Sequence, residues 1–274
     1  MPNLHVMTGA SEIPEVPVVR KIGFADLKDA LAKGVSDFLA APTQLIFLAI
    51  IYPIVGLFLA RLTFGYHVLP LLFPLVAGYA LIGPFAAIGL YEISRRREQG
   101  HEVSWTDAFG VLRCPSLDAI GAVGFVLMVV FVLWLVTALA LYDGLFGSEP
   151  PDSISQFLKE IFTTTRGWVL IIVGHALGAL FAAVALTVGV VSFPLLVDRD
   201  VGAVVALQTS VRAIVANPAT MAAWGIIVGA LLAIGSVPFF VGLAVVIPIL
   251  AHATWHLYRK LVEPVEKTSL APGG

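Results

Sequence analysis

Between Ala213 and Tyr258 the chain runs for 46 residues without one Asp, Glu, Lys or Arg. At the α-helical rise such a run reaches roughly 69 Å, about twice the hydrocarbon thickness of a bilayer. It is too long for one crossing and about right for two. Gly235-Ser236-Val237-Pro238 lies near its middle and reads as a turn. Arg212 stands at one end, and Arg259 and Lys260 stand at the other. A hairpin would therefore return both basic ends to the same side, and this segment alone makes the chain a polytopic membrane protein.

Composition points the same way. The chain is 59% hydrophobic and 12% charged, whereas soluble domains carry about 25% charged residues. A soluble domain of 274 residues cannot hide that much apolar surface, so lipid is the solvent for much of it. A net charge of −2 leaves no general basic surface for nucleic acid. The one cysteine, Cys114, rules out an intramolecular disulfide and any multi-cysteine metal or iron–sulfur site. Residues 1–20 lack the basic start and apolar run of a signal peptide, and read as a disordered cytoplasmic tail. Residues 263–274 read as a second tail.

Charge-free runs place six spans within a single domain at 21–262, at about 43–61, 68–91, 118–142, 168–197, 218–235 and 238–258. With these spans, 13 of the 16 basic residues fall on one side and 3 (Arg61, Lys159 and Arg166) on the other. The positive-inside rule then puts both termini in the cytoplasm. An odd number of crossings would scramble this partition.

The expected fold is an all-α membrane protein of three hairpin repeats, each preceded by a short amphipathic cytoplasmic helix. In the first of these helices Phe24, Leu27, Leu31, Val35 and Phe38 share a face. In the second, Trp105, Ala108, Phe109 and Leu112 do so, with Ser104 as N-cap. In the third, from Val201 to Val215, the stripe is Val204, Leu207, Val211 and Val215. Such helices can lie in the headgroup plane or pad the mouth of the bundle. Pro42, Pro115 and Pro218 read as first residues of the outgoing helices, with Asn217 as the N-cap before Pro218. Pro84, Pro194 and Pro248 interrupt the return helices. Each frees a carbonyl and bends the axis, which either opens a cavity or is absorbed by neighbouring helices.

Several stretches resemble a family of bacterial, mainly alphaproteobacterial, integral membrane proteins catalogued as a domain of unknown function. They are Ser192-Phe193-Pro194-Leu195-Leu196-Val197-Asp198-Arg199, Thr209-Ser210, Asn217-Pro218-Ala219-Thr220-Met221-Ala222-Ala223-Trp224, Gly23-Phe24-Ala25-Asp26-Leu27 and the Pro84…Tyr91-Glu92 return helix. The resemblance spans about Ile22 to Val262 and implies no activity. Members of the family are at times labelled cytochrome c oxidase subunit I-like. A haem–copper catalytic subunit needs about six histidines inside membrane helices. This chain has six in all, with His5 in the tail and His67 and His101 in connections, so the catalytic reading fails.

Two groups of residues carry what chemistry remains. Tyr79, Pro84, His175, Ser192, Pro194 and Pro248 are candidate cavity or packing positions. His175 sits within Gly174-His175-Ala176-Leu177-Gly178, a spacing that lets helices approach closely, and is expected to make an interhelical hydrogen bond. Glu92, Asp198, Arg199, His252 and His256 form a candidate cluster at the cytoplasmic interface. His252 and His256 share a helix face at i, i+4, with Glu92 a conceivable third metal ligand. Trp255 and Tyr258 beside them favour an interfacial belt instead. No catalytic motif, metal site or cofactor is expected. The leading reading is a non-catalytic structural or accessory protein engaging the bilayer and a membrane-protein partner or a second copy. The alternatives are a permease or channel for a small neutral or amphipathic molecule and, more remotely, an accessory subunit of a respiratory oxidase.

Overall fold

The computed structural model describes residues 16–41, 87–148, 153–237 and 241–264, together with Pro74. After an extended N-terminal segment comes α1 (Phe24–Ala40), then a helical stretch at 87–98, here α2. A 3₁₀ helix, η1, spans Trp105–Arg113. Then follow α3 (Leu117–Phe146), α4 (Ile154–Thr163), α5 (Thr165–Gly189) and α6 (Ser192–Asp198). The last three are α7 (Gly202–Ala216), α8 (Pro218–Ser236) and α9 (Leu243–Leu261). The fold is helical, and the one β-bridge among the described residues joins Val19 to Val262.

Among the described residues, three stretches are long and apolar enough to cross a membrane: Leu117–Phe146, Thr165–Asp198 and Pro218–Ser236. They coincide with the expected spans at 118–142, 168–197 and 218–235. The expected spans at 43–61 and 68–91 lie outside the described residues, save Pro74 and 87–91. At 238–258 the helix begins only at Leu243 and continues to Leu261. The 30 residues of α3 measure about 45 Å, more than the bilayer core of about 30 Å, so α3 tilts or projects.

The core is concentrated at one end of the bundle. There α1, α2, α6, the start of α8 and the second half of α9 bury Leu27, Ile93, Phe193, Leu195, Trp224, Trp255, Tyr258 and Leu261. The long bodies of α3 and α5 instead carry exposed Phe125, Val132, Val136, Ile172 and Leu180, as lipid-facing helices do. The α3–α5 contact is made at small residues, with Gly174 beside Leu141 and Gly178 against the Trp134 ring. The Trp134 indole N–H donates to the Pro74 carbonyl at 3.1 Å.

The break between α5 and α6 has a local cause. Pro194 cannot donate a backbone hydrogen bond, and its ring crowds the carbonyl four residues earlier, at Val190, where α5 has just ended. Helix α7 absorbs the defect. Ser210 Oγ donates to the Thr187 carbonyl at 2.6 Å and accepts from the Val191 N–H at 3.3 Å. Ser192 Oγ donates to the Ala206 carbonyl at 3.2 Å. A neighbouring helix thus takes up the Thr187 carbonyl and the Val191 N–H at the break between α5 and α6.

Each amphipathic segment differs from its expected phase. In α1 the buried face is Leu27, Ala30, Gly34 and Asp37, while Phe24 and Val35 are exposed. The helix runs antiparallel along α9, Asp26 meeting Lys260 at one end and Asp37 meeting His256 at the other. A Cβ on Gly34 would lie 2.7 Å from the Ala253 backbone nitrogen, so only glycine permits this approach. The second segment is 3₁₀ rather than α, which separates Ala108 from Phe109 and Leu112. In α7 three residues of the predicted stripe, Val204, Val211 and Val215, face outward and the fourth, Leu207, is half-buried against the core, while Ala203, Ala206, Thr209, Ser210 and Ala213 are buried.

Three further expectations shift. Pro115 precedes its helix, which starts at Leu117 after Ser116. Asn217 is the residue before α8, yet its side chain does not cap that helix. It accepts from the Ile22 N–H at 2.8 Å and donates to the Arg20 carbonyl at 3.0 Å and the Ala213 carbonyl at 3.2 Å. Residues 16–20, expected in a disordered tail, include Val18, Val19 and Arg20, which are docked on the end of α9. The Arg20 N–H donates to the Leu261 carbonyl at 2.7 Å, and the Glu263 N–H to the Val18 carbonyl at 3.0 Å. Backbone pairing of the two chain ends gives this stretch partners that a lone tail would lack.

Candidate functional site: a polar cluster at the charged end

The run Arg95-Arg96-Arg97-Glu98 continues the helix of α2 instead of forming a solvated loop, and each residue meets a different element. Arg95 Nε donates to Glu92 at 2.8 Å and Arg96 Nε to Glu92 at 2.7 Å. Arg96 Nη1 also donates to Asp107 of η1 at 2.7 Å. Arg97 reaches Asp37 of α1. Glu98 accepts from Arg259 Nε and from the Trp255 indole N–H of α9, both at 3.2 Å. One turn of α2 therefore locks to η1, α1 and α9 at once. Burial would push the Glu92 carboxyl up, but the hydrogen bonds and charges of Arg95 and Arg96 prevail and hold it below the ordinary carboxylate range.

At the centre lie Asp37, Ser94, His252 and His256. Asp37 Oδ2 accepts from Ser94 Oγ at 2.6 Å and is 2.8 Å from His256 Nε2. Ser94 Oγ is also 2.7 Å from His252 Nδ1. A hydroxyl has one proton, and Ser94 gives its own to Asp37. His252 must then donate from Nδ1, which leaves Nε2 as a bare acceptor. That nitrogen is buried and has no hydrogen-bond partner among the described residues, and His252 is wholly buried. For Asp37, burial acts to raise the pKa. The hydrogen bonds from His256 and Ser94, with the electrostatic pull of His256, outweigh it and lower the pKa from its ordinary value.

A third set surrounds Asp198. Its Oδ2 accepts from the Tyr258 hydroxyl at 2.6 Å, Arg199 Nε at 3.3 Å and Arg259 Nη1 at 3.4 Å. Lys260 bridges Asp26 and Asp29, each at 3.0 Å. Arg20 Nη2 donates to the Arg259 carbonyl at 2.7 Å, satisfying an orphan carbonyl at the end of α9.

The expected cluster of Glu92, Asp198, Arg199, His252 and His256 thus gathers at one end of the bundle, divided among three networks. Glu92 is held by arginines rather than by the histidine pair. His252 turns to Ser94 and His256 to Asp37, so the two rings do not share a third ligand. The cavity candidates among the described residues divide between buried and exposed positions. Ser192 and Pro194 are buried in α6 and Pro248 in α9, whereas His175 is exposed on α5. The reason is helical phase, since Gly174 and Gly178 face α3 and turn residue 175 outward. His175 Nδ1 lies 2.7 Å from the carbonyl of Ile171 in its own helix. Tyr79 and Pro84 lie outside the described residues.

Asp37, Ser94 and Arg97 were not singled out from sequence. The available signal was Asp37 itself, a carboxylate in phase with Leu27, Ala30 and Gly34.

Long apolar helices exposed along their length, with a core and ion pairs gathered at one end, define an α-helical integral membrane protein. Residues 72–198 match the model of a family described as predicted integral membrane protein (DUF2189), a domain of unknown function. The match takes in the Pro84…Tyr91-Glu92 and Ser192–Asp198 stretches but not Gly23–Leu27 or Asn217–Trp224. No curated protein and no solved structure matches the chain.

Proposed function

We propose that this is a six-crossing bacterial inner-membrane protein, built as three hairpins, with both termini in the cytoplasm. It has no catalytic activity of its own and serves as an accessory protein that engages helices of a membrane partner. The even count is supported by the Val19–Val262 bridge. Chain ends that hydrogen-bond to each other lie on one side of a bilayer. Cysteines near each terminus that label from opposite sides of sealed vesicles would overturn this topology.

The accessory reading rests on the span Thr165–Asp198. None of its most apolar 18-residue window is buried in the protein. Its outward side carries Ala176, Ala179 and Ala183 around His175. Small residues that let backbones approach, with a polar ring among them, are what helix contacts in lipid use. A photo-crosslinking residue at position 179 in native membranes tests it. The expected result is one discrete protein adduct that disappears when Ala176→Phe is added. Adducts to lipid alone would refute the reading.

A permease for a small neutral or amphipathic molecule is favoured by one observation, the Nε2 of buried His252, an acceptor without a hydrogen-bond partner among the described residues. Unchanged uptake of every solute that distinguishes a deletion strain, on restoring it with His252→Ala, would remove that support.

A further inference from the structure

The 3₁₀ helix η1 winds at three residues per turn, so Thr106, Phe109 and Leu112 form one stripe and Asp107 and Gly110 another. The second stripe is turned toward α2. Asp107 holds Arg96 at 2.7 Å, and a Cβ on Gly110 would lie 2.7 Å from Arg96 Nη2. Ala108 backs onto Gly89, where a Cβ would lie 2.9 Å from that of Ala108. The Ser104 N–H donates to Asp107 at 2.7 Å and fixes the start of the helix.

Clamped on that side, η1 presents the other stripe outward. Phe109 is 56% exposed and Leu112 62%. Trp105, 53% exposed, meets Phe109 edge-on with ring centroids 6.3 Å apart. Arg113, also exposed, ends the helix. Only Cys114, Pro115 and Ser116 separate it from α3, which begins at Leu117. This short link keeps η1 at the end of a helix long and apolar enough to cross a membrane, so its exposed Trp105, Phe109, Leu112 and Arg113 stand near the bilayer surface. Tryptophan belongs at the headgroup level, and an arginine there keeps its charge in the polar zone.

We propose that Trp105–Arg113 is a phospholipid-binding anchor. Trp105, Phe109 and Leu112 enter the boundary between headgroups and acyl chains, and Arg113 meets a lipid phosphate. Asp107 does not oppose this, because Arg96 occupies it. Glu102 and Asp118 on either side are exposed, so the attraction is apolar insertion with one arginine–phosphate contact rather than a broad positive field.

Cys114 is the one native cysteine, which makes the test direct. Phe109→Cys in a Cys114→Ser background is labelled with a nitroxide, and the full chain is reconstituted in phosphatidylcholine–phosphatidylglycerol vesicles. Gln99→Cys, in an exposed turn of the same end, is the water-facing control. The expected ratio of oxygen to nickel-chelate accessibility is several-fold higher at position 109 than at 99. Equal ratios would place the stripe in water. Exclusion of both reagents at 109 would mean that protein, a partner or a second copy, covers it. Either result overturns the proposal. Should Phe109→Cys not fold, quenching of intrinsic fluorescence by lipids brominated near the glycerol end replaces it. The component missing in Trp105→Phe is expected to be quenched, and an unquenched component rejects the anchor.

Discussion

Replacing Asp37 by Ala tests whether the polar cluster or the apolar stripe seats α1 on α9. The change removes one acceptor from three donors: Ser94 Oγ at 2.6 Å, His256 Nε2 at 2.8 Å and the Arg97 guanidinium. Asp37 is 5% exposed, so water does not take the place of the carboxylate. Breaking a buried charged pair by deleting one partner costs about 3–5 kcal/mol. The Arg97 side chain is 34% exposed and regains water, which puts the expected loss at the low end, about 3 kcal/mol. For a domain of this size that lowers the melting midpoint by roughly 6–12 °C. Near-UV circular dichroism of the full chain in detergent reads it. A double-mutant cycle with His256→Ala isolates the pair, with an expected coupling of about 1–2 kcal/mol. If Asp37→Ala melts within about 1 °C of the parent chain, or the two changes add, the cluster contributes nothing and packing at Leu27, Ala30 and Gly34 does the seating.

The same carboxylate sets an acid limit. Its folded pKa is lowered, so its contribution is complete above the unfolded value and is lost as pH falls through the folded one. The midpoint is expected to be steady above about pH 4 and to drop below it, with a smaller drop in Asp37→Asn; equal acid profiles would contradict this. Asn217→Ala strands the Ile22 N–H and the Arg20 carbonyl, at a cost of about 1–3 kcal/mol. Hydrogen exchange should quicken at Val19–Gly23 and stay slow at Leu250–Leu257. Gly34→Val drives a Cβ onto the Ala253 backbone and should cost about 1–3 kcal/mol by overpacking, read by the same melt. Lys260→Met, by contrast, should cost less than about 1 kcal/mol, because its pairs with Asp26 and Asp29 are half-exposed, and the difference should vanish in high salt.

Much of the helical layout was legible in the residues. The spans at 118–142, 168–197 and 218–235 are each found as helices. The kink at Pro194 was also readable, since proline acts through its own ring and missing donor. What could not be read was phase. The stripe Phe24–Leu27–Leu31–Val35–Phe38 and the buried face Leu27–Ala30–Gly34–Asp37 are both apolar enough to be the inner one. The choice depends on Ala253 lying opposite Gly34. In α7 Val204, Val211 and Val215 face outward, because the small residues Ala203, Ala206 and Ala213 pack inside. His175 followed the same pattern, placed outward by the two glycines that bring α5 against α3.

By itself the amino-acid order determined which stretches are oily enough to leave water, because transfer free energy adds up residue by residue over about twenty neighbours. Tertiary structure alone decided which charges meet. Asp37 and His256 stand 219 positions apart, and their contact depends on the rotation and register of two packed helices, quantities that no local sum contains.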